Sequence, residues 1–318
     1  MSMTSEAIRR TFYILPKIPR TVQIEVTNRC NLNCKMCQRK YFNLRYEDIS
    51  FEFFKKIVDK LKGVEEIILT GWGEPLIHPK LFDMIKYCKR KKFKTRLTTN
   101  GLLLTSKMRK KLIKSNLDSI TFSIDSIDKN VLAHFNKSSL KNLEELIKLR
   151  KGKKPRIIIQ STLHKNKEED IYDIIKYASK VGVDSINLAR LDLRFNRKLK
   201  RPTIIEEKKL LKNIEKISKE LKIQVNYSPF AMFTGFNRNM YKLFRKSFHR
   251  FGKFCPKTYD YCYINLDGLV TPCCSLPNYI IGNIKEDNLE NIWKSKKFVE
   301  FRKNQKIVCF GCDILRMI

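Results

Sequence analysis

Three cysteines, Cys30, Cys34 and Cys37, punctuate the stretch Cys30-Asn31-Leu32-Asn33-Cys34-Lys35-Met36-Cys37. Spaced CxxxCxxC, they can bring three thiolates onto one face of a tight loop. Thiolates are soft ligands that suit zinc and iron–sulfur clusters. Three protein ligands on a four-iron, four-sulfur cube leave one iron open, whereas a structural zinc or an electron-transfer ferredoxin site normally takes four. On spacing alone, three buried thiols or a zinc loop are the other readings. A second group, Cys255, Cys262, Cys273, Cys274, Cys309 and Cys312, fills the tail. The remaining cysteine, Cys88, falls near the apolar side of a helical pattern and reads as a core thiol.

These residues need elements to hold them. Apolar runs rich in Ile, Val, Thr and Phe fall at 22–27, 66–70, 95–99, 119–124, 156–163 and 185–191, each short enough for a buried parallel strand. Between them, 51–61, 79–89, 106–114, 140–149 and 168–180 carry apolar residues at helical spacing. Strand and helix in regular alternation predict an α/β fold on a parallel sheet, either curled into a barrel or open and doubly wound. Residues with chemical potential fall just after these strands. The cysteine loop follows the first, Gly71-Trp72-Gly73-Glu74-Pro75 the second, Asn100-Gly101 the third, and Ser123 and Asp125 close the fourth. Past Leu191 come a basic run, a long amphipathic helix over 204–221 and a short strand over 222–227. Asp267-Gly268, between two β-prone runs, predicts a hairpin that fixes Cys273.

A strand followed by CxxxCxxC, then a second strand followed by Gly-Trp-Gly-Glu-Pro, resembles the radical S-adenosylmethionine (radical SAM) superfamily. Trp72 stands where that family often has glycine. The resemblance implies a partial (β/α)6 TIM-like barrel over 15–250, with its chemistry at the C-terminal ends of the strands. It implies a [4Fe-4S] cluster on Cys30, Cys34 and Cys37 whose open iron binds SAM. Met36 then lies near the adenine, Gly71, Gly73 and Glu74 meet the amino group, and Asn100, Ser123 and Asp125 contact the methionyl and ribose parts. Lys137 is the nearest match for a basic residue that pairs with the SAM carboxylate. Gln160 and Ser161 are candidates to point into the barrel. His78 and His164 also follow strands, though a lone histidine is more often structural.

The tail, from the spacing of Gly268 to Cys273 and the closing Cys309-Phe310-Gly311-Cys312, resembles the SPASM or twitch extension of the same enzymes. That implies a small α+β domain over 251–318 holding one auxiliary cluster, expected to be [4Fe-4S], on Cys255, Cys273, Cys309 and Cys312. Cys262 and Cys274 are spares, and a four-thiolate zinc is the alternative occupant. An auxiliary cluster can exchange an electron with the substrate radical or bind substrate directly.

The formal charge of +34 over 318 residues favours anionic partners such as nucleic acid, acidic peptide or phosphorylated metabolite. The basic runs at 89–94 and 148–156 precede strands and are expected at the bottom of the barrel, away from the site. The run at 194–201 follows the sixth strand and is the candidate for steering an anionic substrate. No apolar run is long enough to span a bilayer, and residues 1–20 lack a signal-peptide core, so a cytoplasmic setting is expected. The expected activity is reductive SAM cleavage and hydrogen abstraction from a peptide, protein or cofactor precursor, with a ferredoxin or flavodoxin as reductant. An RNA substrate would suit the charge, although no RNA-binding module is recognisable. A noncatalytic iron–sulfur or nucleic-acid-binding protein is the reading from another class.

Overall fold

Short Ile-, Val- and Thr-rich runs separated by amphipathic stretches suit parallel strands, and the chain builds its sheet from such runs. The computed structural model describes residues 15–127, 136–152, 154–196, 198–227, 255 and 257–312. Strands β1 (Thr21–Ile24), β2 (Glu66–Ile68), β3 (Lys94–Thr99), β4 (Ser119–Ser123), β5 (Arg156–Leu163) and β6 (Ser185–Arg190) pair in sequence order, all parallel. Between them lie α1 (Phe51–Asp59), α2 (Leu81–Arg90), α3 (Ser106–Lys114), α4 (Asn136–Leu149) and α5 (Glu168–Val181). After β6, α6 (Ile204–Glu220) returns the chain to β7 (Val225–Tyr227), a further parallel strand beside β6. Thr203 starts α6 with a capping box shared with Glu206.

One face of the sheet is apolar. Val22, Ile67, Leu97, Ile120, Ile159 and Ile186 are at most 1% exposed. They pack with Phe54 of α1, Met84 and Cys88 of α2, Leu112 of α3, Leu146 of α4, Ile174 of α5 and Leu210 of α6 in a single core. The alternate residues, such as Thr98, Ser123, Gln160 and Asn187, leave from the opposite face. All helices that contribute to this core therefore cover one side.

The tail that the sequence sets apart shares this sheet. After α7 (Lys257–Asp260), β8 (Tyr261–Ile264) pairs parallel with β1, and β9 (Leu269–Thr271) and β10 (Gly282–Asn283) continue antiparallel. The order is β10-β9-β8-β1-β2-β3-β4-β5-β6-β7, with edges at β7 and β10, so the barrel is open. Gly268 makes the expected hairpin at φ +85°, the left-handed conformation glycine adopts freely. Helices α8 (Leu289–Lys294), α9 (Lys296–Lys303) and α10 (Gln305–Val308) complete the tail. The expected boundary near 250 lies outside the described residues. No helix among the described residues is long and apolar enough to cross a membrane.

The basic runs at the bottom of the strands are knitted into the fold. Asp118, just before β4, accepts from Lys154 Nζ at 2.8 Å, from Lys89 Nζ and from the Thr95 N–H at 2.9 Å. Arg150 pairs with Asp184, whose carboxylate also accepts the Ile157 N–H at 2.7 Å. Burial opposes the charge on Asp118, but Lys154, Lys89 and the Thr95 N–H hold its carboxyl down to about 2. A folded value below the ordinary carboxylate value of about 4 contributes stability that is full above that value and lost as pH falls toward 2. Asp118→Asn is therefore expected to lower the urea midpoint at neutral pH. It should also flatten the midpoint's pH dependence between about pH 4 and pH 2, as measured by unfolding followed with circular dichroism.

Candidate cofactor and metal site

The cysteine loop leaves β1 through a rigid collar. Glu25, Val26, Thr27 and Asn28 are each at most 4% exposed. The Ile49 N–H donates to Val26 O at 3.0 Å, and the Glu47 N–H donates to Asn28 Oδ1 at 2.7 Å. Thr27 Oγ1 and Arg29 Nε both donate to Asp48 Oδ1, at 2.6 and 3.0 Å. Cys30, Cys34 and Cys37 follow, free and half-buried. The Cys37 N–H closes a turn on Cys34 O at 3.1 Å, and Arg39 Nη2 donates to Leu32 O at 3.0 Å, tethering the loop from inside. Burial, and then the neighbouring thiols, push the Cys34 thiol up. Burial likewise raises Cys30, with Glu74 and Cys37 adding to it against the Leu32 N–H and Arg39. Thiols held this way gain from a metal that removes their protons. Met36 lies half-buried within the loop.

The loop after β2 lies directly on this collar. A Cβ at Gly73 would sit 2.4 Å from Arg29 O and 2.6 Å from Thr27 O, and one at Gly71 would sit 2.2 Å from Glu25 Cγ. The absent side chains let the Gly73 N–H donate to Thr27 O at 3.1 Å and the Glu74 N–H to Arg29 O at 2.8 Å. Glu74 itself is 2% exposed. Its Oε1 accepts from Leu76 N–H at 3.0 Å and Thr99 Oγ1 at 2.7 Å, and its Oε2 from the Asn100 N–H at 2.7 Å. Burial raises its pKa against those three donors. The carboxylate is thus engaged with the protein, and the side of this loop nearest the cysteines is backbone. Asn100 Nδ2 donates to Asn31 Oδ1 at 2.9 Å, joining the end of β3 to the cysteine loop.

Ser123 is exposed at the end of β4. Asp125 accepts the Thr162 N–H at 2.7 Å. It lies within electrostatic reach of Cys34, and burial, its largest influence, raises its pKa. The structure thus brings Asp125 and Asn100 to the cysteine loop from two further strands. Gln160 and Ser161 separate by the alternation of β5. Ser161 is fully buried toward the helices and Gln160 faces the open side. His78 is 4% exposed and bridges Ile49 O and the Lys80 N–H at 2.9 and 3.0 Å, a structural role. Cys88 is fully buried, and burial pushes its thiol up to about 12. The side chain of Lys137 lies outside the described residues.

Several residues that build the site carry little signal in the sequence. Glu25, 3% exposed, accepts the Trp72 N–H at 3.0 Å. A charged residue inside an apolar strand run was its only signal. Trp72 also donates from Nε1 to Cys274 O at 3.2 Å and meets Phe42 edge-on at 4.8 Å. Gln38 Nε2 donates to Asp192 Oδ2 at 2.7 Å, and Asp192 in turn binds Arg194. Arg194, the first cation of the run expected to steer substrate, is therefore paired with a carboxylate, while Lys198 and Lys200 of that run are exposed.

In the tail, Cys255, Cys273, Cys274 and Cys312 lie within electrostatic reach of Lys257, and Cys309 within that of Cys312. The Cys312 N–H donates to Cys309 O at 2.9 Å. The Lys257 ammonium lies among Cys274, Cys273, Cys255 and Cys312 and 4.0 Å from Cys274 Sγ. A hydrogen bond from Cys274, opposed by burial and aided by Lys257, draws the Cys273 thiol down to about 6. Cys262 leaves β8 on the other face, beside Val22 in the core. Among the described residues no three ligating side chains close on a single metal ion. Both groups offer only thiols, partly shielded from water, and such donor sets fit iron–sulfur clusters.

An open parallel α/β sheet with a three-thiol loop at the end of its first strand defines an enzyme of the partial TIM-barrel class. Residues 24–178 match the family model of the Radical SAM superfamily, and residues 255–313 that of the SPASM iron-sulfur cluster-binding domain. A tungsten-containing aldehyde ferredoxin oxidoreductase cofactor-modifying protein of Pyrococcus furiosus is 26% identical over 314 residues, covering 88% of this chain and 82% of that protein. An AdoMet-dependent heme synthase of Methanosarcina barkeri is 24% identical over 323 residues, covering 92% and 91%. Among solved structures, Streptococcus suis SuiB bound to S-adenosylmethionine superposes with TM-score 0.74 at 17% identity, covering 97% of this chain and 74% of that one. Its likeness is one of fold. The chain belongs to the radical SAM superfamily and carries a C-terminal SPASM domain. Its cofactors are a [4Fe-4S] cluster and S-adenosylmethionine, with auxiliary iron–sulfur in the SPASM domain.

Two substitutions test this geometry. Gly73→Ala places a methyl group against the carbonyls of Arg29 and Thr27, and about tenfold weaker SAM binding is expected by equilibrium dialysis. Cys309→Ala is expected to lose about four irons per chain, leaving the cluster at Cys30, Cys34 and Cys37 visible by electron paramagnetic resonance.

Proposed function

We propose that the protein modifies a peptide, a protein or a cofactor precursor by a maturase-type reaction. When bound and reduced, the cluster would supply the one electron that splits SAM into methionine and the 5′-deoxyadenosyl fragment used to remove hydrogen from the substrate. The chain's own residues bind and orient. Cys30, Cys34 and Cys37 hold the cluster, while the backbone of Gly71 to Glu74, beside Asn100, meets the methionyl end of SAM. In this reading Glu74 acts through the backbone it organises. Ser123 and Asp125 lie toward the ribose, and Met36 toward the adenine. Cys255, Cys273, Cys309 and Cys312 hold one auxiliary cluster. A ferredoxin- or flavodoxin-type reductant supplies the electron.

The observation that carries this reading is the seating of the Gly71–Glu74 loop on the collar of the three-cysteine loop, at the end of the sheet where the auxiliary cysteines also arrive. Relatives named for cofactor modification and heme synthesis support it. The charge of +34 favours a second reading, an RNA substrate. Reconstituted, reduced protein with SAM, given separately peptide, RNA and small-metabolite fractions of its host, should release 5′-deoxyadenosine with the peptide or metabolite fraction. A rise with RNA alone would move the assignment to RNA modification. Cys34→Ala is expected to abolish 5′-deoxyadenosine in every fraction, measured by liquid chromatography.

A further inference from the structure

The open face of the sheet carries a row of side chains that continues from the cofactor site across β5, β6 and β7. Parallel register sets Ser123 of β4 beside Gln160 of β5, Gln160 beside Asn187 of β6, and Asn187 beside Asn226 of β7. One step past the Thr99–Phe122 pair, Asn100 falls level with Ser123, so the row starts at the cofactor end of the sheet. Paired positions on neighbouring strands send their side chains to the same face, about 4.8 Å apart. The flanking residues Ile159, Ile186 and Leu188 are fully buried against the helices, so Gln160, Asn187 and Asn226 face the open side, each half-buried.

The row is uncharged. The cations nearest to it on this face of β3 and β5, Arg96 and Arg156, both lie level with Ser119, about 13 Å further down the strands. Beyond β6, Arg194 is held by Asp192. What the row offers is carboxamide. Asn226 Nδ2 donates to Asn187 Oδ1 at 3.1 Å, and Gln224 Nε2 donates to Asn226 Oδ1 at 3.0 Å. Among the described residues this leaves the Asn187 amide hydrogens and the Gln160 carbonyl oxygen unspent. A donor on one strand and an acceptor on the next match another amide, which also presents one of each. Phosphate and carboxylate groups instead call for cations or clustered N–H groups.

We infer that Gln160, Asn187 and Asn226 form a specificity subsite that receives a neutral amide, a peptide bond or carboxamide of the substrate, and disfavours phosphorylated compounds. The inference rests on the reading of this face as the substrate side of a radical SAM enzyme. It narrows the substrate class from any maturase substrate to one that brings an amide to the reacting position. The surface charge then acts only on more distant parts of the substrate. A site built to hydrogen-bond an amide discriminates by leaving its own polar groups unpaired when the amide is missing.

Saturation-transfer NMR tests this without turnover. The probe is a pool of N-acetylated, C-amidated pentapeptides lacking charged residues, presented to protein loaded with clusters and SAM, with guanosine monophosphate in parallel. Transfer to the peptides and not to the nucleotide is expected. Asn187→Leu/Asn226→Leu should reduce peptide transfer by about fivefold or more. Asn187→Asp, which keeps shape and replaces the amide donor, should do the same if the double variant fails to fold. Bound SAM, measured by equilibrium dialysis, should change less than about twofold in either variant. Undiminished peptide transfer in the folded variants, or equal transfer to nucleotide and peptides in the wild type, overturns the inference. A failure to release 5′-deoxyadenosine would instead count against the proposed function.

Discussion

The arrangement depends on one close approach of two backbones. The loop after β2 lies against the carbonyls of Thr27 and Arg29, at a distance that any side chain on Gly73 would forbid. Once seated there, the loop buries the carboxylate of Glu74. A buried carboxylate is costly unless hydrogen bonds compensate it, and Thr99, Leu76 and Asn100 supply three. Asn100 then reaches Asn31, so the ends of three strands become one unit around the thiols. Glu25 does the corresponding work on the other side by taking the Trp72 N–H, and Trp72 carries the connection on to Cys274.

Much of this was legible in the sequence because it rests on local patterns. Alternating β-prone and amphipathic runs gave the six strands and their helices with small shifts at the ends. Cysteine spacing and the two glycines around Trp72 marked the site. What stayed hidden depends on pairing at long range. Nothing local to 261–264 says that this strand joins β1, and nothing in Cys262 alone says that it turns into the core while its neighbours Tyr261 and Tyr263 face the other way. The alternation of β5 could have divided Gln160 from Ser161 in advance, since one step along a strand reverses the face. Glu74 was legible as a site residue, but its acceptors are turned to Thr99, Leu76 and Asn100.

The large positive charge is organised as well as abundant. At the N-terminal ends of the strands, Lys89, Lys154 and Arg150 close on Asp118 and Asp184 and so belong to the scaffold. At the opposite end Arg194 is tied to Asp192, and Asp192 to Gln38 of the cysteine loop. Part of the charge counted from composition is therefore spent inside the fold, while Lys198 and Lys200 of the run after β6 stay exposed.

The joining of β8 to β1 has a consequence for how the chain is made. Gln23 and Tyr261, 238 residues apart, share a hydrogen bond of 2.5 Å across that seam. Contacts of such sequence separation form late, because loop-closure entropy comes before their reward. While the chain is being synthesised, the outer edge of β1 waits without its neighbour, an open template of the kind that invites wrong pairing. The cysteine loop emerges from that same strand. The first cluster site thus gains its full support only once residues 261–274 are in place beside β1 and Trp72.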